Sequence, residues 1–451
     1  MKKDIEKIDK GNPVALVPLF VFLVLYLGMG IYFSMQGVEM AFYQFPAPIA
    51  AFVGIVVAFI MGSGSIQDKV NSFIKGAGEN NVIIMCMIYL LAGAFSAVSQ
   101  AMGGVDATVN LGLSVIPSQF LLPGLFVIAA FIATAMGTSM GTIGAVVPIA
   151  VGIASKAALP LPLTIGAVVG GAMFGDNLSI ISDTTIAATQ TQGVEMRDKF
   201  KMNLLIVLPA ALITLVFLFF SGETAVQASE YSFELIKVLP YVAVLIFALI
   251  GVNVFVVLFG GMVLSGLIGI AFGDFTFIAM AQEAYAGFNS MTEVFFLSMF
   301  AGGLAAMIQK EGGLQYLIHT ISSKIKNSKG AELGIAALVS VTDICTANNT
   351  VAIIISGPLA KDIALENEVD LRRSASLLDI FACVWQGIIP YGAQLLLAGS
   401  LAEISPMVII PNLHYNFLVL ISGLLAIYFA FPKASDIFDN RVEEQQGKIA
   451  N

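Results

Sequence analysis

The sequence predicts an all-α polytopic membrane protein made of two inverted repeats, each with a re-entrant hairpin and an interrupted helix. Three observations carry this. The chain is 58% hydrophobic and only 11% charged, with a mean hydropathy of +0.92, whereas an ordinary soluble domain has roughly 25% charged residues. Apolar runs close to the length of about 20 residues that a spanning helix needs recur along the whole chain. Polar turns and breaks then interrupt those runs in the same order in each half, the pattern of a carrier with its binding site near the bilayer midplane.

The opening MKKDIEKIDKGNP reads as a cytoplasmic segment, residues 1–13. The apolar run that follows, 14–33, is too long for a signal-peptide core and has no small-residue cleavage site, so it is the first membrane helix. It opens a first repeat over 14–220. Runs at 47–63 and 81–98 come next, then an amphipathic linker around Asp106. The runs 119–136 and 141–156 are separated by GTSMGT, Gly137 to Thr142, which is either the tip of a re-entrant hairpin or the join of two full spans. Segment 163–192 contains GAMFGDNLSIISDTT, Gly171 to Thr185, and 202–220 closes the repeat. An extracytoplasmic linker, 221–235, leads to the second half.

The second repeat, 236–431, has runs at 236–250, 252–272 and 291–308, then a basic linker with Lys310, Lys324, Lys326 and Lys329. Runs 332–345 and 350–361 are joined by DICTANNT, Asp343 to Thr350. Segment 375–403 carries WQGIIPYGAQ, Trp385 to Gln394, and 414–431 is the last span before a cytoplasmic tail, 432–451. Ala92, Gly93, Ala97, Gln100, Gly103 and Gly104 match Ala301, Gly302, Ala306, Gln309, Gly312 and Gly313 at a constant offset of 209. That alignment sets the GTSMGT turn opposite DICTANNT and the GDNLSIISD break opposite QGIIPYGAQ. With the N-terminus inside, only Lys156 and Lys237 of the 21 Lys and Arg fall on extracytoplasmic segments, which fixes the orientation. An odd number of segments per half then inverts the second copy and leaves both termini cytoplasmic, in the inner membrane of a bacterium.

Acids inside a membrane segment are the first candidates for function, because a charge at that depth costs about 2.5–3.5 kcal/mol on insertion scales. Asp176 and Asp183 lie at the first break with Asn177, Ser179, Ser182 and Thr184, and a sodium ion would use these two carboxylates. Interrupted helices leave carbonyls and half-helix N-termini free to meet an ion or a polar solute. Thr138, Ser139 and Thr142 join from the first turn. Asp343, Thr346, Asn348, Asn349 and Thr350 join from the second, and Trp385, Tyr391 and Gln394 from the second break. Each has a structural alternative: Asp176 and Asp343 as helix caps, the hydroxyls bonded to their own backbone, Trp385 as packing. Asp379 sits near the cytoplasmic start of its segment and reads equally as interfacial. All four arginines fall in cytoplasmic segments, so no buried guanidinium is expected.

Other chemistries find no footing. Cys86, Cys345 and Cys383 are too few and too scattered for a disulfide framework or a zinc site, and His319 and His414 read as interfacial. Walker, nucleophile-elbow and zinc patterns are lacking, so the chain is not expected to be an enzyme or to need a cofactor other than a coupling ion, sodium or proton. A net charge of −9, with basic residues in short clusters, does not fit nucleic acid. The expected partners are the bilayer and a small cation or small organic solute, and a homodimer is compatible with this reading.

GTSMGT, followed about thirty residues later by FGDNLSIISDTT, resembles the NhaC-type sodium/proton antiporter family, whose signature looks like GTSWGT and then FGDxxSPxSDTT. The resemblance is specific over Gly137 to Thr185 and looser through both halves. It implies an ion-transporter-like carrier of the elevator or rocking kind, with Asp176, Ser179, Ser182 and Asp183 as motif residues. Met140 stands where Trp is common and Ile180 where Pro is common. Relatives of this type include carriers that exchange organic or amino acids with coupling to sodium or protons. Sodium/proton antiport by an ion-coupled secondary transporter is therefore the first expectation, and sodium- or proton-coupled carriage or exchange of a small amino or organic acid is the alternative.

Overall fold

The computed structural model describes residues 11–38, 41–221, 232–325 and 327–433, together with residue 437. Most of the expected N-terminal segment, linker and C-terminal tail lies outside the described residues. Every regular element described is a helix, as a chain this apolar requires, since a bilayer offers backbone groups no water. Eight helices are long and apolar enough to span, or nine if one bent pair is counted as a span, among the described residues.

The first half runs α1 (Val17–Met35), α2 (Ala47–Met61), α3 (Ile66–Ala77), α4 (Asn80–Ala101), α5 (Gly104–Val115), α6 (Leu121–Met136), α7 (Ser139–Lys156), α8 (Leu161–Leu178), α9 (Asp183–Gln192) and α10 (Met196–Ser221). The second runs α11 (Leu235–Leu249), α12 (Val254–Phe272), α13 (Phe277–Ser290), α14 (Thr292–Lys310), α15 (Gly313–Ser322), α16 (Ser328–Thr346), α17 (Asn349–Glu366), α18 (Leu371–Gln386), α19 (Ala393–Ala402), α20 (Pro406–Ile409) and α21 (His414–Tyr428).

Two of the helices that fall where the sequence shows no apolar run are α3 and α13. Both are amphipathic, so their polar faces interrupt the hydropathy signal. A capping box starts α3: Ser65 accepts from the Asp68 amide, and Asp68 accepts in return from the Ser65 amide and hydroxyl. Those hydrogen bonds hold the Asp68 carboxyl below its ordinary value. The expected basic linker is also corrected, because Lys310 closes α14 and α15 follows at once after Gly312.

Helices α4 and α14 cross so that residues 209 apart meet. The Tyr89 hydroxyl lies 3.0 Å from Ser298 Oγ, and Cys86 Sγ donates to Phe295 O. On either side of this crossing, α13 packs onto α4 through Gly287 against Gly93, and α3 packs onto α14 through Gly76 against Gly302. A Cβ on any of the four would overlap the facing backbone. Gly103 and Gly312, again at matching positions, both take a left-handed conformation (φ 80° and 87°) to start α5 and α15.

Two hairpins reach the middle of the molecule. Helix α6 ends on left-handed Gly137 (φ 70°), and Thr138 caps α7 by accepting from the Gly141 amide. In the second hairpin α16 ends on left-handed Ala347 (φ 51°), and Asn348 caps α17 by accepting from the Val351 amide. Each hairpin is tied to a neighbouring helix. The first ends at Lys156, paired with Asp106 at 2.6 Å, and the second is tied to α9 where Gln192 Nε2 donates to Gly357 O.

Candidate ion and substrate site

Both hairpin tips abut a broken helix. Helix α8 stops at Leu178, and the chain passes through 179–182 before Ser182 caps α9 by accepting from the Thr185 amide at 3.2 Å. The break is braced from within: the Thr185 hydroxyl donates to Ser179 O at 2.7 Å, and Ser179 Oγ accepts from the Ile181 amide. Across the molecule α18 stops at Gln386 and α19 restarts at Ala393, with the Tyr391 hydroxyl donating to Ile344 O at 2.7 Å.

A chain of hydrogen bonds joins the two breaks and the two tips. Asp176, in the last turn of α8, accepts from Ser139 Oγ at 2.8 Å and from Thr184 Oγ1 at 3.4 Å. Ser139 Oγ also accepts from Gln394 Nε2 at 3.1 Å. Gln394 Oε1 accepts from Gln386 Nε2 at 2.8 Å, and that amide reaches Ala347 O in the second tip. The two breaks use the same spacing, Asp176 with Thr184 and Gln386 with Gln394, each eight residues apart. One holds a carboxylate where the other holds an amide.

Around this chain lies a cavity of about 70 Å³. By the same measure a water needs about 10–15 Å³, so it has room for an ion with a few waters. Of the residues predicted from sequence it brings together Thr138, Ser139, Asp176, Asp183, Thr184, Asn348, Asn349, Thr350 and Gln394. Hydroxyl, amide and carboxylate oxygens are hard donors, suited to an alkali cation and not to a soft transition metal. Asp176 is buried, whereas Asp183 is exposed at the start of α9. The N-termini of α7 and α17 also face the cavity, and their free amides carry partial positive charge.

Other predicted residues stand beside the cavity and do not line it. Thr142 donates to Thr138 O, Thr346 donates to Asn348 O, and Ser182 is engaged as a cap. Asn177 turns away and donates to the Tyr415 hydroxyl at 2.9 Å. Tyr391 is held at Ile344, and Trp385 packs against the apolar core. Asp343 is fully buried in α16.

Two corrections concern basic residues. Lys199 does not face the cytoplasm: it is completely buried, with Nζ 3.0 Å from Asp379 Oδ2, 2.9 Å from Asn177 O and 2.6 Å from Thr185 Oγ1. Asn203 completes the cluster, donating to Asp379 at 2.7 Å and to Asn177 O at 2.8 Å while accepting from Ser376. A lysine in the first turn of a spanning helix counts as cytoplasmic in a charge tally. Its one sequence signal is Asn203 four residues on, a second polar group on the same helical face. A guanidinium is also buried, against expectation. Arg373 pairs with Glu332 at 3.0 Å and donates to Phe431 O, and it does not line the cavity.

The sequence matches the model of the Na+/H+ antiporter family twice, over residues 4–223 and again over 223–431. It is 23% identical to the malate-2H(+)/Na(+)-lactate antiporter of Bacillus subtilis (strain 168), over 92% of this chain and 95% of that protein. It is 27% identical to the Na(+)/H(+) antiporter NhaC of the same organism, over 82% and 87% of the two chains. To the arginine/ornithine antiporter ArcD of Halobacterium salinarum (strain ATCC 700922 / JCM 11081 / NRC-1) it is 24% identical, over 84% of each. With two matches that together span nearly all of its length, the chain belongs to the Na+/H+ antiporter family.

Proposed function

We propose that this protein is a secondary transporter that exchanges sodium for protons across a bacterial cytoplasmic membrane, with Asp176 as the carboxylate that meets the sodium ion. The observation that carries this reading is the place of Asp176: buried, on the cavity wall, and linked through Ser139 to the opposite half. Its neighbours are oxygen donors, and the nearby buried ammonium of Lys199 is already held by Asp379. Family membership supports the same ion pair. Both termini are cytoplasmic on the distribution of lysine and arginine, and the two halves are related by a two-fold axis in the membrane plane. That relation is supported by the 209-residue contacts, the matched left-handed glycines and the doubled family match.

In proteoliposomes, an imposed sodium gradient should move protons through the wild-type protein. Asp176→Asn keeps the shape of the side chain and removes its charge, so coupled flux should fall to background while the protein still folds. Normal sodium-driven proton movement in that variant would remove Asp176 from the role.

A second reading, exchange of a small organic acid coupled to these ions, is favoured by the carboxamides of Asn348, Asn349 and Gln394 and by the helix N-termini at the cavity. A carboxylate would lie on those amides while the cation met Asp176. Thermal stabilisation of the purified protein by hydroxy acids or amino acids separates the readings, because a ligand at about 100 times its Kd adds about 2.7 kcal/mol. Stabilisation by sodium alone leaves plain antiport.

A further inference from the structure

Of the three buried acids among the described residues, two have partners. Asp176 accepts from two hydroxyls, and Asp379 from Lys199 and Asn203. Asp343 is fully buried and neither carboxyl oxygen has a protein hydrogen-bond partner among the described residues. It lies in the last turn of α16, directly before the Ala347–Asn348 tip, where the free carbonyls of the helix end disfavour negative charge. An ionised carboxylate left unpaired in such a place is untenable, so the group that fits there is the neutral acid.

Resting on the antiporter reading, we propose that Asp343 carries the proton, on a site separate from the sodium cavity at Asp176. The groups nearest it are uncharged: Cys345 on its own helix, Tyr391 at the α18–α19 break, and Cys383 on α18. Cys383 in turn lies within electrostatic reach of Asp176, Asp343, Asp379 and the Lys199 ammonium, which Asp379 already pairs. On α17, Lys361 is the first charged residue, twelve positions from the tip, and at about 1.5 Å per residue it lies about 18 Å along the helix. Arg372 and Arg373 are at the far end of α18, and α21 carries no Asp, Glu, Lys or Arg, its one imidazole, His414, standing at its start. Lys310 of α14 and the His319 imidazole of α15 lie in the last turns of their own helices.

The step is a simple acid dissociation. When the second hairpin shifts against the break, the O–H bond of Asp343 breaks, the electron pair stays on oxygen, and the proton passes to water. Tyr391, whose hydroxyl now donates to Ile344 O one residue away, is the donor placed to receive the new carboxylate. Proton occupancy is thereby tied to hairpin position, and sodium occupancy to the cavity that the same hairpin tip helps to line.

The test uses full-length protein in proteoliposomes with two separate readouts. Exchange of radiolabelled sodium against unlabelled sodium, at equal pH on both sides, needs the cavity alone. Proton movement driven by a sodium gradient needs both sites. Asp343→Asn should keep sodium exchange within about twofold and lose at least about tenfold in proton movement, whereas Asp176→Asn should lose both. Wild-type proton coupling in Asp343→Asn overturns the proposal, and so does equal loss of sodium exchange in folded Asp343→Asn protein. Should that variant fail to fold, sodium-induced infrared difference spectra of the wild type decide. A protonated-carboxyl band that deuterium oxide shifts, and that moves in Asp343→Glu, supports the assignment, and its absence defeats it. If the wild type exchanges no sodium, the antiporter reading fails by itself, and the same band followed across pH still decides Asp343.

Discussion

Asp176 and Lys199 show how differently a buried charge can be read from sequence. Asp176 stands among glycines and hydroxyls in an otherwise apolar segment, and its isolation is the signal. Lys199 follows Arg197 and precedes Lys201, so it looks like part of a solvated cluster, although its side chain turns inward to Asp379, Asn177 and Thr185. Which way one lysine points depends on the tertiary position of Asp379, 180 residues later, and no local pattern records that. Removing one member of a buried pair leaves the other charged and alone, at about 3–5 kcal/mol, whereas removing both costs less. Lys199→Met should therefore lower the thermal midpoint in detergent markedly, and adding Asp379→Leu should recover part of the loss. A double variant no more stable than the single would mean that the pair contributes little and the Asn203 network holds these helices instead.

At the level of elements, the interrupted helices and the polar hairpin turns were legible because glycine, asparagine and hydroxyl residues punctuate apolar runs. Helices α3 and α13 were not, because each buries only a narrow face and hydropathy averages over both faces. The two hairpin tips make a further contrast. Both turn through a left-handed residue, but one is Gly137 and the other Ala347. A left-handed conformation costs an L-residue roughly 1–2 kcal/mol, and a Cβ on Gly137 would also press on Ile181 at the break. Gly137→Ala should thus destabilise the protein and slow exchange, since the tip can no longer sit against the break. Ala347→Gly relieves the matching strain and should leave the thermal midpoint unchanged or raised. If Gly137→Ala is as stable and active as wild type, the tip does not depend on the left-handed turn.

Over the whole molecule, access to the site should differ between the two faces. A second cavity of about 340 Å³ is lined by Ser72, Lys75, Glu79, Gln309, Lys310, Thr346, Asn348 and Val351. Asn348 borders both this cavity and the central one, so the second hairpin tip is the partition between them. Lys75 and Lys310 belong to the face that the charge distribution assigns to the cytoplasm, so the space reads as a vestibule from that side. A cysteine placed at Val351, half-buried on its wall, should react with a membrane-impermeant thiol reagent in inverted vesicles and not in right-side-out cells. The native cysteines are all buried, so the background should be low. Saturating sodium should alter the rate if filling the central cavity shifts the tip. Equal labelling from both faces would mean that the cavity is not a one-sided vestibule. Labelling only from outside would reverse the proposed orientation, and with it the side from which an ion proposed to bind at Asp176 would be loaded.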